Sequence, residues 1–347
     1  MQSHSAGKTP GKRNAYAGAT ILITGGTGSI GGEVLRTLLK YSPKKVIVLS
    51  NDENGLFETR SELGNRENVE FRLSDVRDRR SLETAMRDCD YVFHAAALKH
   101  VTFCEKNPYE AVTTNIIGTQ NVIDCAIKSQ VKKFVFISTD KAVNPISTLG
   151  ATKLLAEKLV ISASGQTDSV VFSTVRFGNV VGSRGSVLII FEKQVREGGP
   201  ITVTDPQMTR FIMAPSDASE LILTAAQLAN SGEIFVLKMK AVRVGELAEA
   251  ARTFFSKRLG RDPHSVEIKQ IGIQPGEKMH EELMNATETN SAIDSNDFYI
   301  VNPNRPDVGK TSRGKSVVKG FSSANVRPLR ASEIAKELSR LYGDKES

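Results

Sequence analysis

Short apolar runs alternate with longer amphipathic segments through the first half of the chain. The runs are rich in β-branched residues and have the length of buried strands, whereas the segments between them repeat apolar residues at helical spacing. Strands separated by helices imply right-handed crossovers and a parallel sheet that carries helices on both faces. The pattern therefore predicts an α/β fold with strands at 20–24, 46–49, 69–73, 91–94, 133–138 and 170–176, and with helices that include 30–40, 81–87 and 111–129.

The alternation ends near residue 178, beyond which glycine, serine and proline become frequent. We expect a smaller lobe there, over the C-terminal ends of the strands, where open α/β sheets bind ligands. Its predicted helices are 186–197, 216–228 and 244–259, interleaved with isolated strands at 201–203, 234–237 and 266–270. The predicted organisation is a flexible N-terminal extension at 1–17, a doubly wound, Rossmann-type domain at 18–180, and the smaller lobe with a basic tail at 181–347, which can be interleaved with it. Parts of 303–320 are also expected to be mobile.

Composition narrows the class of protein and its partners. The chain has 347 residues, of which 39% are hydrophobic and 24% charged, as in ordinary globular proteins. No apolar run approaches the roughly 20 residues of a spanning helix, and no signal peptide is evident, so we expect a cytoplasmic protein without a membrane span. The net charge is +7, but much of the excess lies near the two ends without interleaved aromatic residues. Nucleic acid is therefore not an expected partner, whereas a substrate with two phosphates would suit a positive field.

Metal binding is not expected. Cys89, Cys104 and Cys125 lack the spacing of metal ligands and are interpreted as buried thiols. The run His280-Glu281-Glu282 contains one histidine and no second ligand at helical spacing.

A glycine-rich turn follows the first predicted strand and opens a helix. It places glycines at 25, 28 and 31, where they would permit a tight turn, let the backbone approach a pyrophosphate, and allow close packing of the helix. The helix N-terminus favours the negative charge of a phosphate. A glycine-rich turn alone is weak evidence, but strand, turn and helix occur here in the required order. We expect the dinucleotide cofactor to contact Gly25, Thr27, Gly28, Ser29, Ile30 and Gly31.

The second, third and fourth predicted strands end in residues suited to the adenosine part of a dinucleotide. Asn51 and Asp52 stand near the usual distance for an acid that accepts hydrogen bonds from the ribose hydroxyls. We expect no arginine to stand beside Asp52 to neutralise a 2′-phosphate, so NAD is favoured over NADP. The alternative is a polar turn that starts the next helix. Further expected contacts are Asp75, Val76, Ala95, Ala96 and Ala97, although each alone is equally compatible with packing.

These motifs together resemble the extended short-chain dehydrogenase/reductase superfamily. Further motifs resemble its polysaccharide-biosynthesis branch, which contains the UDP-N-acetylglucosamine 4,6-dehydratases. The resemblance spans about residues 20 to 340 and is specific because many separate motifs occur in order. The matching stretches are 95–101, 105–108, 114–119, 138–145, 150–153, 176–187, 208–211, 275–278 and 280–282.

The resemblance implies a particular reaction and the residues that perform it. In this branch a hydride leaves C4 of the sugar for the cofactor, water is lost across C5 and C6, and the hydride returns to C6. Lys141 is implied as the base for the C5 proton, Asp140 as the acid for the C6 hydroxyl, and Thr139 as a hydrogen-bond partner of the C4 oxygen. Desolvation and a positively charged nicotinamide are expected to lower the pKa of Lys141. The competing interpretation of the Thr-Asp-Lys triplet is a turn with solvated charges.

The chain departs from the superfamily pattern at one position. Lys153 occupies the lysine position of the Tyr-x-x-x-Lys motif, where it would hold the nicotinamide ribose, but Leu149 occupies the tyrosine position. Because leucine cannot remove the C4 hydroxyl proton, either Thr139 with an ordered water does so or C4 oxidation is impaired. Some dehydratases of the branch resemble this chain in carrying methionine there.

The resemblance also assigns contacts to the substrate. Lys99 and His100 would face the sugar, Lys99 and Asn115 would contact the cofactor, and Asn179, Arg184, Val187, Arg210 and Glu277 would contact the UDP half. Arg210 is the best phosphate candidate because a guanidinium pairs bidentately with phosphate oxygens. Gln274 stands where the family usually has arginine.

Three functions remain open at this point. The first is a UDP-N-acetylglucosamine 4,6-dehydratase, with C5 inversion favoured by resemblance, that uses tightly bound, recycled NAD or NADP to make a 4-keto-6-deoxy sugar for a surface glycan or glycoprotein. The second is a nucleotide-sugar 4-epimerase, which needs no C5 base or C6 acid. The third is a non-catalytic NAD(P)-binding regulatory protein. The resemblance implies a UDP-sugar substrate, a nucleotide-sugar-binding lobe at 181–347 and a homo-oligomer.

Overall fold

A nine-stranded sheet forms the centre of the protein in this computed structural model, which describes residues 15–304 and 320–343. Six of its strands come from the first half of the chain and pair in parallel in the order β3-β2-β1-β4-β5-β6. This is the doubly wound Rossmann arrangement, and the predicted fold class is confirmed. These strands are β1 (Thr20–Thr24), β2 (Lys45–Ser50), β3 (Val69–Leu73), β4 (Tyr91–His94), β5 (Lys133–Thr139) and β6 (Val171–Phe177).

Helices cover both faces of this sheet because alternate strand residues point to opposite sides. In β1, Ile21 and Ile23 belong to one buried apolar cluster with Leu35, whereas Leu22 belongs to another with Val122. The helices of this half are α1 (Ser29–Leu39), α2 (Glu53–Leu63), α3 (Arg79–Ala85), α4 (Val101–Lys106), α5 (Pro108–Ala111), a π-helical stretch (Val112–Ile117), α6 (Gly118–Lys128), a 3₁₀ turn (Asp140–Ala142) and α7 (Thr148–Ser164).

The second half of the chain contributes three further strands to the large sheet. The segment predicted as an isolated strand at 234–237 is the seventh strand, β10 (Glu233–Leu237), which pairs in parallel with β6. Two antiparallel strands, β15 (Phe298–Val301) and β14 (Ile293–Asp294), follow it at the edge. The prediction of an isolated strand at 234–237 was wrong, because a short buried apolar run has no periodicity that shows which sheet it joins. The chain thus returns to the sheet beyond residue 180, and the two expected units interleave.

The remaining elements form a smaller apolar core beside the sheet. Leu188, Phe191, Leu247, Phe255 and Leu338 pack there from three helices. The elements of this half are β7 (Asn179–Val180), α8 (Val187–Glu197), β8 (Ile201–Val203), β9 (Thr209–Met213), α9 (Pro215–Leu228), β10, β11 (Lys240–Arg243), α10 (Val244–Arg258), a 3₁₀ turn (Pro263–Ser265), β12 (Ile268–Gln270), β13 (Glu282–Met284), α11 (Ala286–Ser291), β14, β15, β16 (Phe321–Ser322) and α12 (Ala331–Tyr342).

A buried ion network ties the two halves together at β6. Arg176 on β6 is 1% exposed, and its guanidinium donates to both carboxylate oxygens of Glu157 on α7. It also donates to Glu288 on α11 and to the carbonyl of Leu283 on β13. Every partner of this buried charge is therefore supplied by a segment distant in the sequence.

The N-terminal extension is packed where it is described. Residues 1–14 lie outside the described residues, but Tyr16 is fully buried and its hydroxyl donates to the carbonyl of Leu223 at 2.7 Å. Its ring also meets those of Tyr41 and Tyr91 edge to face. The expected flexibility is therefore wrong for residues 15–17, because an aromatic anchor fixes them. Most of the stretch at 303–320 that was expected to be mobile, residues 305–319, lies outside the described ranges.

No helix within residues 15–304 and 320–343 is long and apolar enough to cross a membrane. The three cysteines are free and buried.

Candidate active site

A cavity of about 960 Å³ lies at the C-terminal ends of β1, β4, β5 and β6 and extends beneath the smaller lobe. The structure brings nearly all of the predicted site residues to this cavity. Asp140 and Asn115 are the two predicted residues that do not line it. Those that do are Gly25, Thr27, Gly28, Ser29, Ile30, Gly31, Asn51, Asp52, Asp75, Val76, Ala95, Ala96, Ala97, Lys99, His100, Thr139, Lys141, Lys153, Asn179, Arg184, Val187, Arg210 and Glu277.

The glycine-rich turn has the geometry that a pyrophosphate requires. Gly25 has a φ of +66°, and a Cβ there would lie 2.7 Å from the Cα of Ala96. A Cβ on Gly31 would lie 2.3 Å from the carbonyl oxygen of Gly25, so only glycine lets the turn close over the start of α1. Gly28 precedes α1 and provides no side-chain cap for its first amide groups. Those N–H groups and the helix dipole fit an anionic group.

Asp52 lies at the far end of this part of the cavity and has two roles available. Its Oδ1 accepts a hydrogen bond from the amide of Gly55 at 2.9 Å. Asp52 therefore caps α2, as expected if these residues form a polar turn that starts the helix. Its Oδ2 lies 3.5 Å from Nη1 of Arg184. The premise that no arginine stands beside Asp52 is therefore wrong, because folding brings one from a distant segment.

Arg184 lies at the dinucleotide turn, although the resemblance assigned it to the UDP half. Its amide donates to Oγ of Ser29 at 2.9 Å, and its carbonyl accepts from Nζ of Lys99 at 2.7 Å. Burial and the positive charge of Arg184 lower the pKa of Lys99. The segment around Arg184 thus crosses the cavity entrance and joins the turn to the loop after β4.

The remaining predicted contacts on this side differ in their freedom to bind a ligand. Asp75 is held by Arg77, which lowers the pKa of its carboxyl group. Asn115 is buried, and its side chain exchanges hydrogen bonds with the backbone of Leu98 and donates to Thr152. Asn115 therefore fixes the loop after β4 from behind and does not reach the cavity.

The strongest concentration of charge lies where β5 ends. Asp140 is completely buried, and its Oδ1 accepts from Thr139 Oγ1 at 2.8 Å and from Lys141 Nζ at 3.0 Å. The other carboxylate oxygen, Oδ2, is buried without a hydrogen-bond partner in the described part of the chain. Lys141 lines the cavity, and its side chain is 27% exposed.

Glu281 joins this cluster and was missed as a functional residue. Its Oε1 lies 3.5 Å from Nζ of Lys141 and 4.0 Å from Nε of Arg210, and its side chain is 4% exposed. The sequence contained it within a matching motif, but nothing local to that motif indicates its proximity to Lys141.

The pKa of Lys141 moves in the opposite direction to the expected one. Burial alone would lower the pKa, but the carboxylates of Asp140 and Glu281 outweigh it and raise the pKa above the ordinary lysine value. The sequence showed one adjacent acid, whereas the fold supplies two. Lys141 is consequently protonated in the resting protein.

Lys153 and Leu149 lie one helical turn apart on α7, and both line the cavity. Nζ of Lys153 donates to the carbonyl of Ile137 at 2.6 Å and lies 4.0 Å from the ring centre of Phe136. Burial lowers the pKa of Lys153 to about 7, against an opposing effect of Glu157. Leu149 is 3% exposed and packs in an apolar cluster with Cys104. No hydroxyl stands at position 149 to take a proton.

The remaining residues assigned to the substrate also line the cavity. Arg210 on β9 is anchored by the carbonyls of Thr209 and Met279. Glu277 accepts from the amide of Gln274 and so braces its own turn. His100 is an exposed residue. Partial desolvation of its ring and the positive charge of Lys99 both lower its pKa. Asn179 and Val187 lie at the starts of β7 and α8, respectively.

Among the residues that the structure describes, no group of three or more His, Cys, Asp or Glu side chains is placed to hold a metal ion.

The doubly wound sheet, the glycine-rich turn and the charged cluster after β5 define a protein of the extended short-chain dehydrogenase/reductase type. The sequence matches the polysaccharide biosynthesis protein family over residues 21–303, and the chain belongs to that family. The resemblance inferred from the motifs is confirmed.

Relatives of similar identity have different names. A Methanocaldococcus jannaschii protein described as an uncharacterized membrane protein is 47% identical over 94% of this chain and 98% of its own length. A Campylobacter jejuni protein named UDP-N-acetylglucosamine 4,6-dehydratase (inverting) is 40% identical, over 92% of this chain and 95% of the relative. A Rickettsia rickettsii protein named UDP-glucose 4-epimerase is 38% identical, over 93% and 96%. The family is thus defined, while the activity is not settled by names.

Solved structures agree with the fold. The X-ray structure of Pen from Bacillus thuringiensis has a TM-score of 0.88 and 40% identity, covering 94% of this chain and 98% of that one. UDP-glucose 4-epimerase of Thermus thermophilus, solved in complex with NAD, has a TM-score of 0.63 and 25% identity, covering 74% and 88%.

Proposed function

We propose that this protein is a UDP-N-acetylglucosamine 4,6-dehydratase with a tightly held nicotinamide dinucleotide. The observation that carries the proposal is that Thr139 and Lys141 line one cavity with the glycine-rich turn and both donate to the buried carboxylate of Asp140. A dehydratase needs a base and an acid besides a hydride carrier, because elimination moves a proton from C5 and a hydroxyl from C6.

The cluster suits that division of labour. A nicotinamide dinucleotide held at the glycine-rich turn would supply a reversible hydride acceptor for oxidation at C4 and reduction at C6. Lys141, as a neutral amine, takes the C5 proton once the C4 ketone has made it acidic. Asp140 would supply the proton with which the C6 hydroxyl leaves as water. Its carboxyl group accepts from Thr139 and Lys141, which line the cavity, and its buried Oδ2 has no hydrogen-bond partner among the described residues. The hydroxyl of Thr139 donates to Asp140, and its oxygen would accept a hydrogen bond from the C4 hydroxyl.

Proton removal from the C4 hydroxyl follows an unusual route in this proposal. Leu149 provides no base, so Thr139 with an ordered water relays the proton. The buried Lys153 amine lies on the next turn of α7, and its pKa of about 7 lets it exchange a proton near neutrality. The Lys153 amine would also donate a hydrogen bond to the nicotinamide ribose, in either its charged or its neutral form.

NAD is the proposed cofactor over NADP. Asp52 accepts from ribose hydroxyls, and its carboxylate would repel a 2′-phosphate. Arg184 does not reverse this preference, because it is already paired with Asp52. The named epimerase of Thermus thermophilus, solved with NAD, supports a nicotinamide dinucleotide of either kind.

The finer assignments rest on the family. C5 inversion is proposed from the Campylobacter jejuni relative of that name, and the product would enter synthesis of a surface glycan or glycoprotein. A cytoplasmic location and a homo-oligomer belong to the same proposal.

A UDP-sugar 4-epimerase is the second candidate, favoured by the Rickettsia rickettsii relative that bears such a name. It would use the same dinucleotide site, but it would leave Asp140 and Lys141 without a reason to meet at the cavity. A regulatory protein without turnover is the third candidate, which Leu149 favours.

Proton NMR in deuterated water separates the three. The protein is incubated with UDP-N-acetylglucosamine, with and without added NAD, beside a Lys141→Ala variant. A 6-methyl signal with deuterium at C5, absent in the variant, supports dehydration with Lys141 as base. Interconversion at C4 without a methyl signal would instead identify an epimerase. Unchanged sugar, despite measured binding of NAD and of the UDP-sugar, would overturn the assignment for this substrate.

A further inference from the structure

Glu281 has the surroundings of a group that exchanges protons. It is 3% exposed, lines the cavity and faces the Lys141 amine at 3.5 Å through Oε1. Its second oxygen, Oε2, is buried without a hydrogen-bond partner among the described residues. A fully ionised carboxylate normally has its buried oxygens paired, so an unpaired one indicates an oxygen that carries or receives a proton.

The backbone at Glu281 is held rigidly by residues far along the chain. Its amide donates to Oγ of Ser323 at 2.9 Å, and its carbonyl accepts from the amide of Ser323 at 2.8 Å. Oγ of Ser323 also bonds to Oγ1 of Thr209, which in turn meets Nδ1 of His280. These hydrogen bonds fix the backbone of Glu281, so the fold itself directs the Glu281 side chain towards Lys141.

Lys141 has a difficulty that Glu281 resolves. The two neighbouring carboxylates keep the amine protonated at rest, whereas a base for the C5 proton must be neutral. Asp140 does not serve this purpose, because in the proposed reaction it takes up the C4 hydroxyl proton through Thr139, whose hydroxyl donates to its Oδ1, and passes that proton to the C6 hydroxyl. Glu281 is the other carboxylate within reach of Nζ among the described residues.

We propose that Glu281 positions Lys141 and accepts its proton before each elimination. The inference rests on the proposed function and assigns Glu281 a role in it. The N–H bond of the Lys141 ammonium breaks and an O–H bond forms on Glu281, leaving a neutral amine and a carboxylic acid. The amine then takes the C5 proton, while Asp140 passes the C4 hydroxyl proton to the C6 hydroxyl, which leaves as water. The ammonium returns a proton to C5, and Glu281 returns its proton to the amine, so protons and charges balance.

The groups facing Glu281 allow this exchange. They are Lys141 and Asp140 from the turn after β5, Arg210 from β9, and Lys278 from the preceding loop. Burial and the Asp140 carboxylate raise the pKa of Glu281 against the opposing cations. The raised pKa makes the Glu281 carboxylate a better proton acceptor than an ordinary carboxylate, and the two groups titrate as a pair.

The test compares Glu281→Gln with the wild type from about pH 6.5 to 9.5, using UDP-N-acetylglucosamine and formation of the 6-methyl product. Glutamine still accepts a hydrogen bond from Lys141 but cannot take its proton. We expect a rate about 100-fold lower near pH 7 that recovers roughly tenfold per pH unit, because solvent must then deprotonate the amine. A rate equal to that of the wild type, or a deficit that is constant with pH, would overturn the proposal.

A second readout does not depend on turnover. Acetylation of Lys141 with acetic anhydride, followed by mass spectrometry, should have its midpoint about 1 to 3 pH units lower in Glu281→Gln. An unchanged midpoint would overturn the pairing. A wild type that forms no product but shows this shift would refute the dehydratase assignment alone.

Glu282→Gln is the matched control. Its side chain accepts from Asn144 at 2.5 Å, a bond that the glutamine oxygen can keep. Both the pH profile and the labelling midpoint of Glu282→Gln are expected to match the wild type. A shift of equal size in this control would show a general effect of removed charge and would contradict a specific role for Glu281.

Discussion

The two halves of the cavity are built by different means. The dinucleotide half, at residues 25–31, 51–52 and 75–76, is shaped by backbone geometry within one strand, one turn and the neighbouring strand ends. The sugar half, at residues 139–141, 210 and 281, is shaped by charges that several distant segments bring together. A change that adds atoms should disturb the glycine-rich turn most. A change that removes an ionisable group should disturb the charged cluster most. Variants should therefore damage the halves separately.

The largest effect is expected in the sugar half. Asp140→Asn keeps the volume of a completely buried side chain but removes the proposed acid. We expect dehydration to fall about 1,000-fold while the protein retains its dinucleotide. Product formation by NMR and dinucleotide content by chromatography measure the two outcomes. If the variant lost the dinucleotide as well, the two halves would not be separable.

The complementary variant lies in the dinucleotide half. Gly31→Ala would place a methyl group 2.3 Å from the carbonyl oxygen of Gly25, so the turn must move. We expect dinucleotide affinity to fall about 100-fold, because displacement of about 1 Å removes well-aligned contacts. Titration calorimetry measures the loss. Gly165→Ala is the control, since its Cβ would meet nothing closer than 3.6 Å; equal losses in both would contradict the argument from the turn.

Lys153 stands at the junction of the halves and gives a pH dependence. Its pKa is about 7 in the folded protein against an ordinary value of 10.5, so between these values the unfolded chain binds more protons. Stability therefore rises with pH across that window. We expect wild type to gain about 1.4 kcal/mol per pH unit relative to Lys153→Met, measured by urea unfolding between about pH 7.5 and 9.5. The exposed Lys158 on the same helix provides the control variant Lys158→Met. A pH-independent difference for Lys153→Met would refute the buried amine.

The smallest effect concerns the choice of dinucleotide. Asp52→Asn removes a charge near the ribose end, worth about 1 kcal/mol, and should improve NADP relative to NAD about fivefold. Asp78→Asn is the matched control, because Asp78 also caps a helix by accepting from the amide of Ser81. Competition titrations with both dinucleotides measure the ratio. A similar change in the affinity ratio in both variants would show that the effect comes from helix capping and not from the charge near the ribose.

Much of the dinucleotide half was predictable because its signals are local. The strand, the glycines at 25, 28 and 31, and the first helix are adjacent in the sequence, and each constrains the next. The parallel sheet of six strands with helices on both faces followed from the alternation of strands and helices, whereas the order of the strands came from the structure. Lys141 and Lys153 were likewise placed at the cavity by motifs that end a strand or begin a helix.

The rest required contacts between distant segments. The pairing of Arg184 with Asp52 and of Glu281 with Lys141 depends on how the smaller lobe packs over the sheet. The predicted direction of the Lys141 pKa shift was wrong for the same reason, because the sign of the shift depends on how many carboxylates surround the amine. The membership of β10 in the large sheet was hidden because a short, fully buried strand shows no face.

The network around Arg176 also constrains how the protein is made. During synthesis β6 emerges well before Leu283 and Glu288, which supply part of the guanidinium's hydrogen bonds. A nascent chain that stopped near residue 180 would bury an incompletely paired cation and leave β6 as an open strand edge. The sheet is therefore expected to mature only after the ribosome has released β10 and α11, and the first 180 residues are a poor choice for separate expression.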